Sequence, residues 1–181
     1  MKKFISVALV AVMVLSMSLF MASCGGDDKE DGEKVQITGV IATQLGDMSF
    51  NDSAKAGLDE LEEQGYTVNV TECNTDETQY EPQLRTAAEK SEIVIGVGSE
   101  LTMIGEIAKE YPDTKFIWVD NPVDGIEDLP NVLCILYAQN EGSFLTGYIA
   151  AKMSESGVVG AVGGEDSTTI NDFLVGYEQG A

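Results

Sequence analysis

Val35-Gln36-Ile37-Thr38-Gly39-Val40-Ile41, a polar loop, a helical run over residues 52–64 and then Tyr66-Thr67-Val68-Asn69-Val70 form the stretch that decides the fold. The two flanking runs are short, apolar and rich in β-branched residues, as strands are. Between them Ala54, Leu58 and Leu61 recur at spacings of four and three, which puts them on one face of a helix, and Gly65 follows as its C-terminal cap.

The alternation continues outward. Further strands are expected over residues 93–97, 116–119 and 132–137, and helices over 82–90, with Pro82 in the first turn, and over 102–110, stopped by Pro112. Short apolar runs alternating with helical patterns predict an α/β class and a doubly wound parallel sheet lobe, here residues 35–139. Beyond it come a helix over 141–154, a buried strand over 158–162 and a helix over 170–181 with Phe173, Leu174 and Tyr177 as apolar points. A strand flanked only by two helices has no ladder partner, and complete domains avoid such edges. Residues 140–181 are therefore expected to begin a second α/β lobe, the sequence being a fragment.

The N-terminus reads as an address. Met1-Lys2-Lys3 is basic, residues 4–20 are uncharged and largely apolar, and Met21-Ala22-Ser23-Cys24-Gly25 places small residues before a cysteine. The run approaches the roughly 20 apolar residues of a membrane span, so an uncleaved anchor is the alternative. The small residues favour cleavage, and the stretch resembles a bacterial lipobox. That makes residues 1–23 a lipoprotein signal peptide and Cys24 the lipidation site, with residues 24–34 a polar tether. Diacylation through the Cys24 thiol would supply the more than one acyl chain that stable anchoring needs, on the extracytoplasmic face of the cell membrane.

The formal net charge is −21, and two positive charges, Lys2 and Lys3, leave with the leader. So acidic a chain argues against nucleic acid and anionic lipid as partners and disfavours phosphorylated ligands. There is no histidine, which removes the commonest general base and metal ligand. With no cluster of Cys or carboxylates in a metal pattern, neither an enzyme nor a metal or cofactor site is expected. In the strand order 2-1-3-4-5, Cys73 follows one edge strand and Cys134 lies in the other, about 19 Å away at ~4.8 Å per strand. Two free thiols are predicted, Cys134 in the core and Cys73 left open.

Ligands of open parallel sheets bind beyond the carboxyl ends of the strands. Three loops there are unusual: Gln44-Leu45-Gly46-Asp47-Met48-Ser49-Phe50-Asn51-Asp52, Gly96-Val97-Gly98-Ser99 and Asp120-Asn121-Pro122. They offer amide and carboxylate groups beside an aromatic ring, suiting an uncharged polar ligand with a flat face. Each has a plainer reading: Asn51 or Asp52 as a helix cap, Gly96 and Gly98 in tight turns, Asp120 at the start of a turn.

The motif Gly46-Asp47-Met48-Ser49-Phe50-Asn51-Asp52-Ser53-Ala54 closely resembles that of the basic membrane protein family, the purine nucleoside receptor lipoproteins that feed ABC transporters. Ile95 to Gly98, Tyr111 to Phe116 with Asp120, Glu141 to Ala151 and Gly157 to Gly164 resemble the same family, in order, from about Val40 to the last residue. Met48 stands where the family usually has Lys or Arg, and the loop over 43–45 is short. The resemblance implies a type I periplasmic-binding-protein-like fold closing on a purine nucleoside between two lobes, and delivery to an ABC transporter permease by a monomer. It implies that Asn51 and Asp52 hydrogen-bond the base, that Asp120 contributes to the same pocket, and that Gly163 or Gly164 is close to ligand from the second lobe; Gly98 and Ser99, at the end of the third strand, are the further ligand candidates. Phe50 either stacks on the ligand or packs beneath its loop. The alternative function is a surface sensor or host-interaction lipoprotein of the same fold with another small ligand.

Overall fold

A computed structural model describes residues 34–181; the signal peptide, Cys24 and nearly all of the tether lie outside the described residues. The elements run β1 (Gln36–Ile41), α1 (Phe50–Glu63), β2 (Thr67–Glu72), α2 (Glu77–Lys90), β3 (Ile93–Val97), α3 (Ile104–Glu110), β4 (Lys115–Val119), a 3-10 turn (Ile126–Asp128), β5 (Val132–Ile135), α4 (Gln139–Met153) and α5 (Thr168–Gly180). The five strands form one parallel sheet in the order β2-β1-β3-β4-β5. The α/β class and the doubly wound order expected from the sequence are those observed.

Parallel strands need crossover connections, and the helices supplying them cover the sheet. On one face Tyr80 and Leu84 of α2 and Ile104 and Ile107 of α3 pack with Val94, Phe116 and Trp118 in a single buried cluster. On the other, Leu58 of α1 lies so close over Gly39 that a Cβ there would run into it. Farther along that face Ile95, Val119, Ile135 and Tyr137 line an open apolar groove beside α1. Asn131 secures the turn into β5: its Nδ2 donates among the carbonyls of Ala108, Tyr111 and Thr114 at 3.0–3.1 Å, satisfying acceptors at the end of α3.

Several details differ from the sequence reading, among them β5, which ends at Ile135 and not at 137, and α3, which starts at Ile104 and not at 102. Helix α2 starts at Glu77, not at Pro82, because the Asp76 carboxylate caps it by accepting the Thr78 N–H at 3.0 Å. Pro82 then sits inside the helix, where it leaves one backbone acceptor without its usual donor. Residues 158–162 are not a strand: the segment has no ladder partner, and Val158 and Val162 are exposed. A strand exists only where a neighbour takes its backbone groups, and among the described residues nothing pairs with this one. Both cysteines are free, but Cys73 is the buried one and Cys134 the half-buried one. The Cys73 backbone N–H donates to Ile41 O at 2.8 Å, which draws the residue inward.

Helices α4 and α5 pack against each other through small residues. A Cβ on Gly147 would overlap Tyr177 O, one on Gly176 would overlap Asn140 O, and one on Gly180 would overlap Phe144 O. Such approach is open only to glycine. Ser143 Oγ donates to Phe173 O at 2.5 Å across the same seam.

Candidate functional site

The loop after β1 is held by two carboxylates that answer backbone N–H groups. Asp47 accepts from Ser49 at 2.9 Å, Asn51 at 3.0 Å and Asp52 at 3.2 Å, and so caps α1. Those N–H groups, that of Asn51 first, hold the Asp47 carboxyl below its usual range. Asp52 reaches back to accept from Gly46 at 2.7 Å and Met48 at 2.8 Å. This stabilises a turn in which both residues have positive φ, 92° and 51°.

Asn51 is buried, and its amide has one orientation. Nδ2 donates to Thr43 Oγ1 at 2.8 Å and to Gln44 O at 3.0 Å, which uses both of its hydrogens. Only Oδ1, an acceptor, is left for a ligand.

After β3, Gly98 has φ 122°, and a Cβ there would press on Ala42 Cβ and Glu100. Its carbonyl accepts the Trp118 Nε1–H at 2.8 Å, tying the loop to β4. After β4, Asp120 has φ 66°. Its N–H donates to Ile135 O at 2.7 Å, and its C=O accepts the Thr169 Oγ1–H at 2.9 Å. Its carboxylate takes no hydrogen bond within the described residues, and burial pushes its pKa up.

These loops converge. Thr43, Phe50, Asn51, Gly98, Ser99, Glu100, Asp120 and Asn121 form one wall of a cavity of about 260 Å³, and Glu165, Ser167, Thr169 and Ile170 at the start of α5 form the other. A neighbouring cavity of about 500 Å³ shares Ser99, Asn121, Glu165 and Ser167 and extends to Lys109. No Lys or Arg lines the first cavity. Its lining residues include three acidic ones, Glu100, Asp120 and Glu165, with Asn51, whose uncommitted group is an acceptor, and Phe50. Such a lining complements N–H and O–H donors on a flat body and opposes anions.

Of the residues singled out in the sequence, the fold therefore brings Phe50, Asn51, Gly98, Ser99 and Asp120 to one cavity. Asp52 does not line it, since its carboxylate is engaged by the loop backbone. Gly164 does not line it either; its neighbour Glu165 does. Asn121, in the loop after β4 that the sequence also marked, lines it too, whereas Thr43, Glu100, Glu165, Ser167, Thr169 and Ile170 are lining residues that the sequence reading does not include. A signal for the last group was present: Ser167 is a favoured N-cap type, and its Oγ accepts the Ile170 N–H at 3.4 Å. Among the described residues no three Cys, Asp or Glu side chains are grouped to hold a metal.

Comparison with known proteins agrees with this architecture. The chain is 28% identical over 175 residues to basic membrane protein A of Borreliella burgdorferi, covering 95% of this chain and 51% of that protein. It is 31% identical over 185 residues to an uncharacterized lipoprotein of Pyrococcus furiosus, covering 98% of this chain and 45% of that protein. The chain thus spans about half the length of the curated relatives it matches. Among solved structures, a solute-binding protein of an ABC transporter system from Aeropyrum pernix K1 superposes with a TM-score of 0.68 at 26% identity, over 79% of this chain and 41% of that one. The fold is type I-like, as in periplasmic solute-binding proteins. Residues 34–181, the whole of the described structure, match the family of PnrA-like ABC transporter substrate-binding proteins, and the chain belongs to that family.

Proposed function

We propose that this chain is part of an extracytoplasmic solute-binding lipoprotein that captures a purine nucleoside between two lobes and presents it to an ABC transporter permease. The observation that carries the reading is the cavity at the carboxyl ends of β1, β3 and β4, whose lining combines Asn51, Asp120 and Phe50. A purine presents N–H groups along the edge of a flat π system, and a ribose presents hydroxyls. Both suit a lining of acceptors, and a phosphate does not. Residues 35–139 are the first lobe in this reading, and residues 140–181 begin the second, which closes by a hinge where β5 passes into α4. Cys24 carries the lipid. Support for the anchor comes from the leader and from the lipoprotein of Pyrococcus furiosus that the chain resembles.

Calorimetric titration of the full-length gene product with inosine and adenosine tests the proposal. Asp120→Ala should weaken binding about 10- to 100-fold, the scale of a hydrogen bond to a charged acceptor. In the unaltered protein, affinity should fall as pH drops through the raised Asp120 pKa, because protonation removes an acceptor. Unchanged affinity in Asp120→Ala would defeat the proposal.

A further inference from the structure

We propose that Thr169 is a positioning residue for Asp120: its hydroxyl, carried on the first turn of α5, clamps the Asp120 carbonyl and holds the backbone twist that turns the carboxylate into the cavity. The inference rests on the reading of that cavity as the ligand site.

Four non-glycine residues among those described have positive φ: Met48, Asn74, Thr75 and Asp120. The left-handed region costs such residues energy, so each needs support from its surroundings. Met48 has it locally, its N–H donating to the Asp52 carboxylate at 2.8 Å. Asn74 and Thr75 donate their N–H groups to Thr43 O and Ala42 O at 2.7 and 3.0 Å, within the first lobe. Asp120 differs. One of its two backbone partners is Ile135 O in the neighbouring strand, and the other is the side chain of Thr169, 49 residues away.

The consequence is a link between α5 and the first-lobe wall. Thr169 and Asp120 line the same cavity, and the Asp120 carboxylate has no partner of its own to orient it. Its direction is set by its backbone, and its backbone is held in part by α5. Any displacement of the start of α5 releases the Asp120 carbonyl and lets the carboxylate turn toward solvent. The ligand acceptor of one lobe is thereby assembled only when the helix of the other is in place.

The test uses the full chain with Thr169→Val, which keeps the shape and removes the hydroxyl, and Thr169→Ser, which restores it. The first readout needs no ligand: carbon-detected NMR titration of the Asp120 carboxyl. In the unaltered chain it should titrate above the ordinary carboxylate range because of its burial. In Thr169→Val it should move down toward that range, with Thr169→Ser close to the unaltered chain. An Asp120 titration identical in Thr169→Val and the unaltered chain overturns the inference. The second readout is calorimetry with inosine on the full-length gene product. Thr169→Val should weaken binding about five- to tenfold and add nothing to Asp120→Ala. The two proposals separate cleanly. If the titration moves while inosine binds to none of the forms, the clamp stands and the ligand reading fails. If Asp120→Ala loses affinity while Thr169→Val keeps both affinity and titration, the clamp fails and the ligand reading stands.

Discussion

Residues 34–135 and residues 136–181 use apolar side chains in opposite ways. In the first region Phe116, Leu84, Ile104 and Val94 are at most 1% exposed, closed between sheet and helices. In the second, Leu145, Ile149, Met153 and Val162 are 58–100% exposed. The cause is architectural. A parallel sheet offers two broad faces, and each helix laid on one buries a wide stripe. Two helices alone share one narrow seam, and here that seam is made of Ser143, Gly147, Gly176 and Gly180, which let backbones touch but bury little side chain. The outer stripes of α4 are left uncovered among the described residues.

The contrast can be broken or sharpened by mutation. Phe116→Ala should have the largest effect, about 3–5 kcal/mol lost in urea unfolding, since a large ring is removed from a closed core. Gly147→Ala should cost about 1–3 kcal/mol, because its Cβ meets rigid backbone at Tyr177 and not a side chain that can move. Hydrogen exchange should show the loss confined to α4 and α5 while the sheet amides keep their protection; uniform loss would mean that the two regions unfold as one. Ile149→Ala should have the smallest effect, within about 0.5 kcal/mol in this chain. In a longer chain that supplies a sheet beneath α4, the same change should cost about 2–5 kcal/mol. Equal losses from Phe116→Ala and Ile149→Ala in the present chain would abolish the contrast.

The fold of the first region was legible because its signals are local. β3 occupies the residues its apolar run predicted, 93–97, and the helix over 50–63 follows the Ala54, Leu58 and Leu61 face. The start of α2 was not legible, because residues 77–81 carry little apolar period and Pro82 looks like an opening residue. Tyr80 and Leu84, one helical turn apart and both buried, were the available signal. The run over 158–162 has strand composition, but composition gives no partner, and without one its backbone stays outside any ladder.

At the cavity the division is finer. The sequence by itself determined that amides, carboxylates and an aromatic ring follow β1, β3 and β4, because strand ends and polar loops are local properties and a parallel sheet brings such loops to one edge. Tertiary structure alone decided which of these groups face the cavity. Asp47 and Asp52 are engaged by backbone N–H groups of their own loop, Asn51 keeps one free acceptor, and Asp120 is turned inward under a hydroxyl from α5. The reason is that a hydrogen bond depends on angle and on a separation near 3 Å, and those follow from backbone twists at Gly46, Met48 and Asp120 and from a contact spanning 49 residues, none of which residue type encodes.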